Sequence, residues 1–210
     1  ALQRAWDEAS PLAPGDPAVL YLERRIPGFA PPYPPELRCH PGLPYSHGGV
    51  RYGRLPALLA RVRDPSGRPV NVHRIYLTPD GRKAEVPAPK KLMRGTTRAT
   101  GGAVRLYPAR EVIAVAEGVE TALAVRAMTR LPVWACVSAT LMKSLAVPEA
   151  VREVRIYADH DESGAGQEAA EKLRRRLLRQ GIKARVFLPE RPGADFLDEW
   201  AARAEKALAA

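Results

Sequence analysis

Residues 112–116 read Val-Ile-Ala-Val-Ala, five positions without a polar side chain. A run this short and this uniform marks a strand buried on both faces, not one that alternates between core and water. Mostly apolar runs recur at 133–137, 154–158 and 184–188. Helix-like stretches fill the intervals at 120–129, 141–145 and 167–180. The last of these places Ala170, Leu173 and Leu177 on one face and Arg174, Arg175 and Arg179 on the other, and Gly181 follows as a helix stop. Strand and helix in alternation predict a parallel sheet with right-handed crossovers. No internal repeat is visible.

In such a sheet, ligands bind beyond the carboxyl ends of the strands. Two of the expected strands end in acids: the first runs into Glu117-Gly118, the third into Asp159-His160-Asp161. In extended chain, Asp159 and Asp161 project to the same side and His160 away from them, so His160 receives no metal role. If the two strands are neighbours, the three carboxylates converge. At about 4 Å and an effective dielectric near 20, each like-charged pair costs about 4 kcal/mol, which calls for a cation or raised pKa values. Oxygen donors alone select a hard ion, Mg²⁺ or Mn²⁺, of the kind that serves phosphoryl transfer. The structural alternative is capping: Asp161 or Ser163 can cap the following helix, and Glu120 can sit in a first helical turn.

The first half has a different grammar. Of the 21 prolines, 17 precede residue 111. Residues 16–25 open as a helix with Asp16 as N-cap and Pro17 at its first position, and residues 27–44 are expected to be mostly irregular. Strands are expected at 57–63 and 70–77, joined by a turn at 64–67. A basic loop at 83–100 carries Lys83, Lys90, Lys91, Arg94 and Arg98. The net charge of +10 falls entirely on residues 1–110, since residues 111–210 carry acids and bases in equal number. A one-sided basic field suits a polyanion, although a solvated basic surface has the same composition. Tyr76 and Tyr107 are candidates either for base stacking or for core packing.

No apolar run approaches the roughly 20 residues a bilayer requires, and the charged first ten residues do not form a signal peptide. Both points place the expectation in the cytoplasm, without a membrane. Cys39 and Cys136, far apart, make a poor disulfide framework, and Cys39-His40 lacks a second ligand pair for zinc. The chain begins without Met, as an excised fragment would.

Val115-Ala-Glu-Gly-Val-Glu-Thr-Ala-Leu123 and, some forty residues on, Tyr157-Ala-Asp-His-Asp-Glu-Ser-Gly164 resemble the signature of a Toprim domain, over roughly residues 108–200. That domain occurs in bacterial primases, topoisomerases, OLD-type nucleases and recombination proteins. Further segments resemble the region preceding Toprim in phage and plasmid primase-like proteins. These include Tyr21-Leu-Glu-Arg-Arg25, Val72-His-Arg74, Gly81-Arg-Lys-Ala84 and Pro89-Lys-Lys-Leu-Met-Arg-Gly95. Pro192-Gly-Ala-Asp-Phe-Leu-Asp198 resembles the group's closing motif, with Leu197 where Asn is usual.

The resemblance implies an α/β fold: a Toprim-type parallel sheet flanked by helices at 108–210, preceded by a smaller basic α+β subdomain at 1–107. It implies a DNA primase core, a nucleotidyltransferase making short primers on single-stranded DNA from NTPs. Glu117 would act as metal ligand or general base, Asp159 and Asp161 would hold Mg²⁺ or Mn²⁺, and Asp195 and Asp198 would complete the metal site. His73, Arg74, Lys83, Lys90, Lys91 and Arg94 would hold template and triphosphates. No zinc-binding domain and no Walker loop are present, so a helicase or zinc-binding module would be absent, supplied in trans or cut away. The rival readings are a Toprim-type metal-dependent nuclease and a non-catalytic nucleic-acid-binding accessory protein of a mobile element. A topoisomerase is disfavoured, because the chain is too short for a strand-passage gate.

Overall fold

The computed structural model describes residues 2–93, 99–160, 164–191 and 193–208. The first half is built on a five-stranded antiparallel sheet in the order β1-β2-β3-β4-β5, the second on a four-stranded parallel sheet in the order β7-β6-β8-β9. The expected α/β architecture is thus present.

In the first half, helix α1 (Leu2–Asp7), strand β1 (Ser10–Pro11) and helix α2 (Pro17–Arg25) precede the long strands. Asp16 caps α2: its Oδ1 accepts from the Val19 amide at 2.6 Å, with Pro17 in the first turn. Strands β2 (Leu37–His47), β3 (Val50–Arg63) and β4 (Pro69–Tyr76) form a meander, and β5 (Lys90–Leu92) pairs along β4.

Two expectations are corrected here. Residues 37–44 are strand, not irregular chain. Pro41 is accommodated by a register shift between His40 and Leu43, where Pro41 and Gly42 together oppose Pro56, so its missing donor falls at a bulge, whereas Pro44 pairs with Arg54 in the regular ladder. The basic loop at 83–100 also contains a strand, β5, which the pairing of Lys90 with Ile75 and of Lys91 with Arg74 holds in place.

The second half follows the expected order: β6 (Val112–Ala116), α3 (Val119–Thr129), β7 (Val133–Ala135), α4 (Ala139–Ser144), β8 (Glu153–Tyr157), α5 (Ala165–Arg179), β9 (Lys183–Phe187) and α6 (Phe196–Leu208). Strand β7 is shorter than the apolar run suggested, although the Cys136 and Val137 amides still donate to Ala116 and Glu117. Helix α5 starts at Gly164 in the left-handed region, φ 67°.

The β3 side chains alternate between two cores. Leu58, Ala60 and Val62 join a large core continuous with the parallel sheet, whereas Ala57 and Leu59 join a small outer one beneath Trp6 of α1. Residues 103 and 104 stitch the sheets together. Ala103 exchanges backbone hydrogen bonds with Arg63 at 3.0 Å each way, and Val104 does so with Ala135 at 2.8 and 2.9 Å. The Trp200 indole of α6 donates to the Pro27 carbonyl at 2.9 Å and closes the far side.

Candidate metal and nucleotide site

Strands β6 and β8 are immediate neighbours, in register from Val112 with Glu153 to Ala116 with Tyr157. Glu117 therefore leaves the sheet beside Ala158, one residue before Asp159. Both are half-buried at the carboxyl edge, where an open parallel sheet binds its ligands.

Local chemistry fixes each acid. Gly118, extended at φ −82° and ψ 152°, is the N-cap of α3. A Cβ there would lie 3.2 Å from Thr121 Oγ1, so glycine allows the turn to close tightly. The first turn of α3 thus starts just after Gly118, and the positive end of the helix beside Glu117 favours negative charge. On the other flank, the Val137 amide donates to the Glu117 carbonyl at 2.7 Å while Val137 holds φ 56°. A β-branched residue there stores about 1–3 kcal/mol of strain, retained between this bond and the Ser138 cap of α4. The Cys136 thiol is pushed up to about 12, first by burial and then by the negative Glu117.

Asp159 is held from both sides. The Ala158 amide donates to the Phe187 carbonyl at 3.1 Å. The His160 amide donates to Ala194 at 3.2 Å and its carbonyl accepts from Gly193 at 2.7 Å. His160 Nδ1 lies 3.2 Å from the Pro189 carbonyl. This ladder draws the closing segment, with Asp195 and Asp198, alongside the Asp159 loop.

Those two acids form a reciprocal cap on α6. Asp195 Oδ1 accepts from the Leu197 and Asp198 amides at 2.8 and 2.9 Å, and Asp198 Oδ2 accepts from the Asp195 amide at 3.1 Å. Leu197 is buried in the large core, so the departure from a polar residue there fills apolar space. Asp161 and Arg94 lie outside the described residues, as does Ser163. Among the described residues, no three His, Cys, Asp or Glu side chains cluster in a way that could hold a metal ion. Oxygen donors without thiol or imidazole nonetheless fit a hard divalent cation.

The expected basic residues are divided by the pleat of the sheet. His73 and Lys90 face the parallel sheet; Arg74 and Lys91 face away from it, with Tyr76. Facing inward, Lys90 Nζ lies 2.7 Å from Glu120 Oε1, which also accepts from the Tyr21 hydroxyl at 2.7 Å. Glu120 is only 3% exposed. Burial pushes its carboxyl up, but Lys90 and Tyr21 outweigh that and hold it down at about 2. The Tyr21 hydroxyl is pushed well up by burial and by Glu120. His73 is buried and lowered to about 4, chiefly by burial, which keeps the ring neutral. Lys83 is lowered by burial and by nearby Lys90, against the pull of Glu120. Tyr76 is core, with its hydroxyl donating to the Pro44 carbonyl at 2.8 Å.

The Glu120 cluster was not legible in advance. Its one signal was a carboxylate inside Val119–Val125, a stretch of helix buried on every side.

Residues 1–106 match a domain of unknown function (DUF7146), and residues 112–205 match the Toprim domain. No curated protein matches the chain. Among solved structures, a DNA primase domain from Pseudomonas aeruginosa is 21% identical, with a TM-score of 0.52 over 80% of this chain and 54% of that one. The DnaG catalytic core gives 17% and 0.55 over 80% and 55%. A DnaG primase catalytic domain bound to ssDNA gives 18% and 0.51 over 78% and 57%. The chain spans about half the length of these relatives, and the likeness is one of fold. Fold and acidic edge together define a Toprim-domain, primase-like protein. Through its N-terminal half the chain belongs to the DUF7146 family.

Proposed function

We propose that this chain is a primase catalytic core that joins nucleoside triphosphates into short primers on a single-stranded DNA template. One observation carries the reading. Glu117 and Asp159 leave adjacent strands at one sheet edge, and the Lys90–Glu120 pair docks the basic half one helical turn away. A basic surface held against an acidic edge is what the joining of two polyanions requires.

The residues then divide the work. Glu117 and Asp159, with Asp161 by resemblance, would hold Mg²⁺ or Mn²⁺, which neutralises phosphate charge when bound. Lys83 and Lys90 bring two cations to the single buried carboxylate of Glu120, leaving positive charge over for a triphosphate. The bond formed joins the primer 3′-oxygen to the α-phosphorus as the bond from the α-phosphorus to the β-phosphate bridge breaks; pyrophosphate leaves, and Glu117 or water would take the hydroxyl proton. Asp195 and Asp198 orient the closing segment beside Asp159 and lie within the same proposal as outer supports of the metal. Working partners would be a replicative helicase and a zinc-binding module, in the cytoplasm. No helix among the described residues is long and apolar enough to cross a membrane.

The test is incubation with single-stranded template, four labelled NTPs and Mg²⁺ or Mn²⁺. Short template-dependent products are expected, and Glu117→Gln with Asp159→Asn should abolish them while circular dichroism stays unchanged. Template loss in place of products means a nuclease, and neither outcome means a binding protein.

A further inference from the structure

On the outer face of the first sheet, away from the acidic edge, a groove of about 860 Å³ opens between the β2–β3 hairpin and β5. Its lining includes His47, Arg74, Tyr76 and Lys91 and no carboxylate. The volume falls within the range of about 300–1,000 Å³ typical of small-ligand sites.

The two cations are fixed by neutral groups. Arg74 donates through Nη1 to the Tyr76 hydroxyl and through Nη2 to the Leu92 carbonyl, both at 3.0 Å, and its buried Nε has no acceptor. Lys91 Nζ donates to the Ser46 carbonyl at 2.8 Å and sits 4.2 Å from the centre of the Tyr45 ring. Among the described residues, neither cation has a carboxylate at ion-pair distance, whereas Arg61, Arg63 and Lys90 each do. Carbonyls and rings orient a cation without cancelling its charge, so Arg74 and Lys91 keep theirs for a ligand.

Beside the groove, the Tyr45 ring under Lys91 carries a second, exposed ring that does not itself line it. Tyr52 is 45% exposed, although Tyr45 holds it edge-on with ring centres 5.3 Å apart; Tyr45 in turn packs edge-on against Tyr76 at 4.8 Å. A ring anchored by its neighbours and open to water suits base stacking.

We propose that this groove is a second nucleic-acid subsite. Arg74 and Lys91 take backbone phosphates of a single strand, and Tyr52 stacks one of its bases. The proposal rests on the reading of the chain as a protein that works on single strands, but not on the chemistry at Glu117 and Asp159.

Binding of a short labelled oligothymidylate to the full chain, in chelator and across a salt series, tests it by fluorescence anisotropy. Tyr52→Ala should weaken binding about tenfold, and Tyr52→Phe should not. Lys91→Ala should lower the slope of log K against log salt by about 0.7. Glu117→Gln with Asp159→Asn should not lower the affinity. Unchanged affinity in Tyr52→Ala, or an unchanged slope in Lys91→Ala, overturns the subsite. Primer synthesis is scored separately. A chain that makes primers but binds equally well in both groove variants refutes the groove alone. A chain that makes none but loses affinity in both refutes only the polymerase reading.

Discussion

Replacing Lys90 with Met tests how the two halves are joined. In the folded chain the Glu120 carboxyl sits at about 2 against an ordinary 4.5. That depression corresponds to about 3 kcal/mol of stability. Because the folded value lies below the unfolded one, the contribution is complete above pH 4.5 and is lost as pH falls towards 2. Lys90 supplies the larger share, but its side chain is 40% exposed, so solvent screens it. The expected loss in Lys90→Met is about 2–3 kcal/mol at pH 7, below the 3–5 kcal/mol of a fully buried pair.

Without Lys90, burial raises the Glu120 carboxyl, which protonates in the folded state. The deficit should therefore shrink at pH 3. Glu120→Gln in the Lys90→Met background should recover part of the loss, since a neutral amide keeps the Tyr21 contact without a buried charge. Urea unfolding of wild type, both single variants and the double variant supplies the cycle. A loss under about 0.5 kcal/mol, a deficit equal at pH 7 and pH 3, or a double variant worse than Lys90→Met would refute the reasoning.

Three further outcomes follow from the geometry. His73, held at about 4 by burial, stays neutral when folded, so stability should fall by up to about 3 kcal/mol as pH drops from 6.5 to 4; His73→Gln should flatten that part of the urea midpoint profile. Asp195→Ala should cost about 1 kcal/mol by uncapping α6, and Asp195→Asn much less, as read by thermal unfolding. Gly81 holds φ 76°, and a Cβ there would lie 2.5 Å from Leu20 Cβ and 2.9 Å from the Tyr21 amide nitrogen. Gly81→Ala should therefore lose more than about 1 kcal/mol in chemical denaturation.

The parallel half was legible because its signals are local. Strand β6 is apolar on both faces and α5 carries its stripe within fifteen residues, so each element announces itself without its partners. The acids at 117 and 159 needed only one long-range fact, the adjacency of β6 and β8. Strand β2 was hidden because Pro41 and Pro44 read as breakers; only the pairing with β3 shows Pro41 at a bulge opposite Pro56 and Pro44 in the ladder opposite Arg54. Strand β5 was hidden because Lys90 and Lys91 read as solvated charge. Their alternation becomes meaningful only once β4 is beside them.

That alternation also changes what the charge count means. The excess of +10 is not one patch, since successive residues of β4 and β5 serve opposite faces. Lys90 turns inward to Glu120, and Lys91 turns outward over Tyr45. Glu120, in the first turn of α3, stands three residues after Glu117, so the carboxylate at the strand end and the one that docks the basic half flank the start of one helix. The inner-face cation Lys90 is therefore tied to the acidic edge by one turn of helix. Any movement that separated them would have to break the Lys90–Glu120 pair. On the outer face, Arg74 and Lys91 have no such tie among the described residues, and only neutral groups hold them.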